Sequence, residues 1–298
     1  MTEAAYAACL RMARQHYENF PVASRLLPRA ARPHIAAIYA FARVADDLAD
    51  EGDAPAAARI SALEVWQWRL HEAVEGRIEQ DGSEAAHVFT ALADTIRRFD
   101  LETQLFEDLL SAFCQDVLVT RYETWIDLLD YCRRSASPVG RLVLRVCGYR
   151  DAALDVQSDA ICDALQLTNF WQDIAVDWKK GRVYVPREIS SASGAIEDSL
   201  RAGEWTPEWE MALRDAASRT RQLFDAGRPL IDVVRGRLRY ELRATWLGGV
   251  RMLDKLEVRR FDALRYRPTL GWVDGVRILA GAARWRPVRP MPTTSLTT

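Results

Sequence analysis

The sequence predicts an all-α fold, and three features carry that prediction. Apolar residues recur at three- and four-residue spacing along nearly the whole chain. No stretch alternates with a period of two for long, as a half-buried strand would. Pro33, Pro55, Pro207 and Pro229 stand near the starts of such patterns, where a missing N–H costs nothing and the fixed φ suits a first turn.

In chain order the spacing predicts helices over 3–17, 31–50, 55–76, 84–99, 102–118, 124–147, 152–178, 206–225, 228–257 and 270–284. The first is mildly apolar and carries Glu3 and Arg11. Behind Pro33 the second repeats Ile35, Ile38, Ala42, Ala45 and Ala49, and behind Pro55 the third repeats Leu63, Trp66, Leu70 and Val74. The span 152–178 is mostly apolar between Ile161 and Val176, and Pro207 and Pro229 open the next two. The other spans rest on the same spacing and are joined by short polar links. Ten helices so connected predict one compact bundle over 1–290, with a Pro- and Thr-containing tail at 291–298 that has little to bury. Between Lys179 and Thr206, Gly181, Pro186, Gly194, Gly203 and several serines read as a long loop, and long loops in compact domains are often functional.

Composition narrows the chemistry. The 298 residues are 49% apolar, with 40 Lys+Arg against 42 Asp+Glu, which fits a soluble globular protein and excludes disorder. Interspersed charges and a net charge of -2 offer no basic field for nucleic acid, and no polybasic block precedes the Arg-rich C-terminal end. Five widely spaced cysteines without a C-x-x-C pair argue against a structural zinc or a disulfide framework and suit a reducing cytoplasm. Neither a signal peptide nor a membrane-spanning run is expected. His16, His34, His71 and His87 show no metal spacing, and no nucleophile elbow, zincin motif or dinucleotide fingerprint occurs.

Two acidic clusters remain. In the first, Tyr39, Arg43, Asp46 and Asp50 are four, three and four residues apart and share one helical face, with Asp47 and Glu51 beside them. Such a cluster is equally a solvated helix end in which Arg43 pairs with Asp46 or Asp47. Ala42, Ala45, Leu48 and Ala49 surround it with small or apolar groups, so the acidic stripe is expected to border a cavity. In the second, Asn169, Asp173 and Asp177 repeat every four residues, each step turning about 40° and rising about 6 Å, so that they form a ladder.

Two such ladders facing each other need counter-charge, because like charges about 4 Å apart repel by roughly 4 kcal/mol at an effective dielectric of about 20. They must protonate or share cations. Carboxylates with one amide suit a hard divalent ion such as Mg²⁺, which usually completes its shell with water and substrate phosphate. Arg43, Lys179, Lys180 and Arg182 are candidates for direct contact with phosphate, although a Lys-Lys-Gly-Arg segment is as often a solvated helix end. Ten tryptophans mostly fill core or surface, with some expected to wall a pocket and stabilise a carbocation through their π faces.

The segments Asp46-Asp47-Leu-Ala-Asp50-Glu51 and Gln166-Leu-Thr-Asn169-Phe-Trp-Gln-Asp173-Ile-Ala-Val-Asp177 resemble the paired aspartate-rich motifs of squalene and phytoene synthases. Asn19-Phe20 with Leu26-Leu27-Pro28, Tyr131-Cys132 before Val139-Gly140, and Gly181-Arg182-Val-Tyr184-Val-Pro186 resemble other parts of that family. The resemblance implies an all-α isoprenoid synthase bundle with a central cavity, a prenyl diphosphate substrate and several Mg²⁺ ions bridged by its diphosphate. Carried over by residue, it implies that Asp46, Asp50, Asn169, Asp173 and Asp177 hold metal and that Arg43, Arg182 and Tyr184 hold diphosphate. Tyr131 would serve catalysis beside the cationic intermediates, unless it is a hydrogen-bonded core residue.

The departures point to one branch. Arg133-Arg134-Ser135-Ala136-Ser137-Pro138 replaces a small-residue stretch, and Gly248-Gly249 stands where relatives often carry Tyr, which alters the expected pocket wall. With Glu18 to Ser24 and Asn169 to Asp173, this texture is most similar to the hydroxysqualene-forming branch of bacterial hopanoid synthesis. That resemblance implies a lyase that ionises presqualene diphosphate and lets water capture the rearranged cation, without NADPH. Ser135 and Ser137 are candidates to position the water. A head-to-head prenyl transferase making presqualene diphosphate, squalene or phytoene is the rival expectation, and a non-catalytic scaffold a further one. The implied setting is the cytoplasm, peripheral at the inner membrane face, with transient membrane contact and handover to other squalene-pathway enzymes.

Overall fold

The computed structural model describes residues 2–15, 26–50, 54–79 and 81–287. Asn19-Phe20, the segment Glu18 to Ser24, Glu51 and the tail 291–298 lie outside the described residues. Fifteen helices stand among those described: α1 (Thr2–Gln15), α2 (Arg32–Asp50), α3 (Ala56–Val74), α4 (Glu84–Phe99), α5 (Thr103–Leu118), α6 (Trp125–Ser135), α7 (Ser137–Val146), α8 (Ala152–Gln172), α9 (Ile174–Lys179), α10 (Arg187–Ser193), α11 (Glu197–Arg201), α12 (Pro207–Gly227), α13 (Pro229–Val233), α14 (Gly236–Val258) and α15 (Trp272–Ala283). No strand accompanies them among the described residues; one isolated bridge joins Arg121 to Val183.

The all-α expectation holds, while several boundaries move for identifiable reasons. The expected helix 124–147 divides at Ala136, whose φ of -119° leaves the helical range just before Pro138, a residue without an N–H to donate. This break lets α7 start on its own axis. The span 152–178 is interrupted at Asp173, with φ -103° and ψ 14°. The span 228–257 divides into α13 and α14, and the expected loop 179–206 contains α10 and α11. Pro207 and Pro229 are first helical residues, Pro33 is the second residue of α2, and Pro55 is the N-cap of α3.

Two apolar centres organise the bundle. One, around Phe41, Trp66, Phe89 and Phe106, joins α2, α3, α4 and α5; the other, around Trp171, Trp209 and Phe224, joins α8, α12 and α14. Helix α5 packs on α2 and α3 and also on α6 and α7, so it ties one centre to the other. Helices α7 and α8 cross closely at Gly140, where a Cβ would stand 2.4 Å from the Ser158 hydroxyl and 2.5 Å from the Cys162 sulfur. Gly249 also serves packing: a Cβ there would meet the buried Phe224 ring at 2.4 Å and Leu165 at 3.0 Å.

Candidate active site where three helices end

Asp46 and Asp50 lie in the last turns of α2, Asp116 in the last turn of α5, and Asp173 and Asp177 at the junction of α8 with α9. Neither α2 nor α5 has a basic residue in its last turn. Helix C-termini carry the negative end of the dipole, so aspartates are locally unfavourable there and lysine or arginine would be favoured. The counter-charge comes from elsewhere in the chain. Lys180 Nζ donates to Asp50 Oδ2 at 2.6 Å, and Arg182 Nη2 donates to Asp50 Oδ1 at 2.7 Å and to the Asp116 backbone carbonyl at 3.0 Å.

Local sequence explains how Arg182 reaches this point. Gly181, with φ +77°, ends α9 in a left-handed turn; its N–H donates to the Trp178 carbonyl at 2.9 Å, and the Arg182 N–H to the Asp177 carbonyl at 2.8 Å. The chain then runs beside the end of α5, where the Val183 N–H donates to the Thr120 carbonyl at 3.0 Å. Arg121 fastens the turn by donating to the Gly181 carbonyl at 2.6 Å and to both carboxylate oxygens of Glu197. The interruption at Asp173 does not dissolve the expected ladder. The Asp173 N–H still donates to the Asn169 carbonyl and the Asp177 N–H to the Asp173 carbonyl, each at 2.9 Å.

The carboxylates divide by their surroundings. Burial raises Asp50, but its bonds to Arg182 and Lys180 outweigh that and hold it below the usual carboxylate range. Asp46 is pushed up to about 6, first by withdrawal from water and then by the charge of Asp50, with Arg43 opposing. Asp177 is pushed up to about 7 by the same withdrawal, then by Asp173, and also by Asp50. Because Asp50 acts on Asp177, the two acidic motifs share one electrostatic neighbourhood. Arg43 pairs with Asp47 at 2.5 Å and with Asp46 at 3.4 Å, so the structural pairing weighed for it is present. Asn169 is exposed, and Asp173 accepts from Arg267 at 2.5 and 3.1 Å.

Below the charged layer lies an aromatic cluster. Tyr184 stacks on Phe170 with ring centroids 3.7 Å apart and planes within 5°, and Tyr131 stands 6.2 Å from Tyr184 and 6.1 Å from Phe170. Phe170, Asp177, Trp178, Arg182 and Tyr184 together line a small cavity. Trp66 and Trp171 are core residues, and Trp171 donates to the Thr220 hydroxyl at 2.9 Å. The aromatic surface beside Asp177 combines Phe170 and Tyr184 with Trp178. Of the two serines, Ser137 donates to Asp163 at 2.9 Å between α7 and α8, while the Ser135 hydroxyl is buried without a hydrogen-bond partner.

Sequence reasoning missed Asp116. It accepts a 2.5 Å hydrogen bond from the Tyr131 hydroxyl and a 3.4 Å one from Tyr184, and withdrawal from water pushes it up to about 6 despite the Tyr131 bond and Arg182. Burial, together with the Asp116 charge, raises Tyr131 well above the ordinary phenol range, so it stays a neutral donor. The one available signal was a single acid in the otherwise apolar run Leu109 to Val119 beside Gln115. Arg267 was also missed, lying nearly a hundred residues after its partner Asp173.

The donor chemistry fits a hard divalent cation: all-oxygen ligands, at helix C-termini, with Asp46 and Asp177 pushed up by withdrawal from water and then by neighbouring negative charge. Among the described residues no three acidic, His or Cys side chains form a ready-made cation cage, since Lys180 and Arg182 stand on Asp50 and Arg267 on Asp173. Grouped carboxylates, interleaved cationic side chains and an aromatic floor in an all-α bundle are features that an enzyme acting on a prenyl diphosphate would use.

Comparison with known proteins makes the class specific. The family description "Squalene/phytoene synthase" matches residues 13–274, and the chain belongs to that family. It is similar to the hydroxysqualene synthase of Sinorhizobium fredii, 36% identical over 275 residues covering 90% of each chain, and to that of Zymomonas mobilis, 38% identical over 73% of this chain and 71% of the other. The 15-cis-phytoene synthase of Synechococcus elongatus is 29% identical, covering 88% and 87%. Among solved structures, squalene synthase HpnC from Alicyclobacillus acidocaldarius superposes with a TM-score of 0.80 at 38% identity, covering 87% of this chain and 95% of that one. A dehydrosqualene synthase at 22% identity shares the fold, with a TM-score of 0.83 and 95% and 97% coverage.

Proposed function

We propose that the protein is a hydroxysqualene synthase acting on presqualene diphosphate. The observation that carries this reading is the interleaving of Lys180 and Arg182 with Asp50, within the electrostatic reach of Asp177 and above the Tyr131–Phe170–Tyr184 cluster. The branch is supported by relatives bearing that name at 35–38% identity.

In this reading the substrate carbon–oxygen bond breaks heterolytically, and its electron pair leaves with diphosphate. The carbon framework rearranges, water adds to the resulting cation, and the added water loses a proton. Magnesium, held by Asp46, Asp50, Asn169, Asp173 and Asp177, would supply positive charge to the departing diphosphate. Arg182, with its guanidinium anchored on the Asp116 carbonyl, and Lys180 turn their remaining N–H donors to phosphate oxygens, with Arg43 beside them. Tyr184 borders that contact and is held flat by Phe170. Asp116 orients Tyr131, and the packed rings keep bulk water from the cation until the rearrangement is complete. No reductant is needed, so NADPH is not expected to take part.

The test is incubation of purified protein and Mg²⁺ with presqualene diphosphate or with farnesyl diphosphate, each with and without NADPH. Hydroxysqualene from presqualene diphosphate alone, independent of NADPH, is the expected product. Conversion of farnesyl diphosphate would favour a head-to-head transferase, a reading supported by the solved squalene synthase at 38% identity. Full biological function in folded Asp50→Asn and Asp173→Asn variants would favour a scaffold.

A further inference from the structure

Helix α15 turns its apolar side outward. Trp272, Val276, Leu279 and Ala283 are spaced four, three and four residues apart and form one exposed stripe, in which Trp272 is 82%, Val276 59% and Leu279 58% accessible. Val273 and Leu270 widen it. A helix of a globular protein ordinarily buries such a stripe, yet the fully buried residues of α15 are only Asp274 and Ala282. Helix α15 meets α14 on its other side, where Gly281 lies against Leu247 and Ile278 beside Gly248, and polar contacts fasten it there. Asp274 accepts from Arg251 at 2.9 Å and from Lys255 at 2.5 Å, and also caps the Gly271 N–H at 2.9 Å.

The exposed charge of α15 itself has one sign. Asp274 is the single acid of α15, and it is buried and paired with two bases. From Gly275 onward the sequence has four arginines and no acidic residue, within a chain of net charge -2. Arg277 and Arg284, seven residues apart, are exposed along one flank of the stripe. The outward side of α15 therefore offers apolar and cationic groups together, with an indole at its N-terminal end.

The stripe is also continuous with the candidate active site. Arg267 holds Asp173, the next residue's carbonyl, that of Pro268, accepts from Gln172 at 2.7 Å, and the Thr269 carbonyl accepts from Lys255 at 2.6 Å. Leu270 and Trp272 follow at once, both exposed. A run of six residues, hydrogen-bonded at its first three, thus leads from the acidic edge to the start of the stripe.

We infer that the α15 stripe and its arginine flank dock on a lipid bilayer carrying anionic headgroups, with Trp272 at the interface and the helix lying in the membrane plane. No helix among the described residues is long and apolar enough to cross a membrane, so the contact is peripheral. A second copy of the chain fits the face less well. A two-fold contact would bring Arg277 and Arg284 toward their own equivalents, and a twelve-residue helix about 18 Å long offers a narrow patch against the roughly 800 Å² per partner of a stable dimer. The docking brings the Asp173–Arg267 edge toward the layer in which a greasy isoprenoid would dissolve.

Vesicle flotation of the full chain tests this without substrate, so its outcome is independent of the reaction assigned above. The chain is expected to float with vesicles of phosphatidylcholine and phosphatidylglycerol, and far less with phosphatidylcholine alone. Trp272→Ser with Leu279→Ser should lower partitioning by about tenfold or more, and Arg277→Gln with Arg284→Gln should lower it by about tenfold, an effect that added salt reproduces in the unaltered chain. The arginine pair makes no contact with the core, so it keeps the test decisive should the apolar pair impair folding. Absence of binding to anionic vesicles, or binding indifferent to both pairs, would overturn the inference. A dimer seen by light scattering and lost on Trp272→Ser with Leu279→Ser would overturn it by assigning the face to a second copy.

Discussion

Asp116 and Asp163 are near twins in chemistry and differ in surroundings. Each is withdrawn from water, each accepts a hydroxyl hydrogen bond, from Tyr131 at 2.5 Å and Ser137 at 2.9 Å, and each is pushed up, to about 6 and about 7. Asp116 stands at the end of α5, its carbonyl bonded to Arg182 and its carboxyl under the influence of Asp46 and Asp50. Asp163 lies in the middle of α8, where Ser137 is its hydrogen-bond donor and the charges acting on it are Asp159 on one side and Arg133 and Arg141 on the other. The contrast teaches that a perturbed carboxyl is not by itself a mark of function. Convergence with cationic side chains and a second acidic motif separates the site from the interior.

The largest expected effect comes from removing the cation that links the acidic elements. Arg182→Gln should lower kcat/KM for presqualene diphosphate by about 10²–10³-fold, because it removes a charge aimed at the leaving group. A variant retaining wild-type turnover would break the distinction drawn between Asp116 and Asp163. Next, Asp116→Asn and Tyr131→Phe should each cost about 10–10²-fold in kcat, and the double variant little more than either alone, since the two groups act as a unit. Asp163→Asn, by contrast, should leave steady-state turnover unchanged within about twofold. Additive losses for Asp116 and Tyr131 would sink the claim that one positions the other.

Much of this site was legible because helical periodicity is local. Tyr39, Arg43, Asp46 and Asp50 must share a face whatever the tertiary fold, and Asn169, Asp173 and Asp177 keep their four-residue hydrogen-bond register through the interruption at Asp173. Gly181 likewise fell where a loop was expected, although the left-handed turn it makes beside Arg182 is visible only in the structure. What was hidden is long-range. Nothing in the run around Asp116 shows that the end of α5 meets Tyr131 from α6 and Arg182 from beyond α9, because that meeting depends on how helices pack rather than on how each is patterned. The division of 124–147 at Ala136 was missed for a related reason: apolar spacing continued across the break, and only the Pro138 backbone interrupts it.

Stability measurements sharpen the interior half of the comparison. The folded-state pKa of Asp163 lies above the 3.8 of an exposed aspartate, so the native state binds the proton more tightly than the unfolded chain. Its contribution is therefore most favourable below about pH 4 and declines as pH rises toward about 7, where the buried carboxylate must carry its charge. Asp163→Asn should remove that decline. Thermal melts are expected to show a gain of about 2–4 kcal/mol at about pH 8, shrinking to nearly nothing toward about pH 4. A gain independent of pH would assign the effect to packing instead.

The smallest effect discriminates most finely. Ser137→Ala deletes the hydroxyl that favours the charged form of Asp163, so the carboxyl should rise further and the native carboxylate lose a donor. At about pH 5, where Asp163 is protonated in the fold, the substitution should cost about 1 kcal/mol; at about pH 8 it should cost about 2 kcal/mol, because an ionised group then loses its bond. In the Asp163→Asn background this pH dependence should vanish, since no titrating group remains for the hydroxyl to act upon. If Ser137→Ala were instead neutral to stability and lowered kcat, Ser137 would belong with Tyr131 near the reacting cation, and the line between site and interior would have to be redrawn through α7.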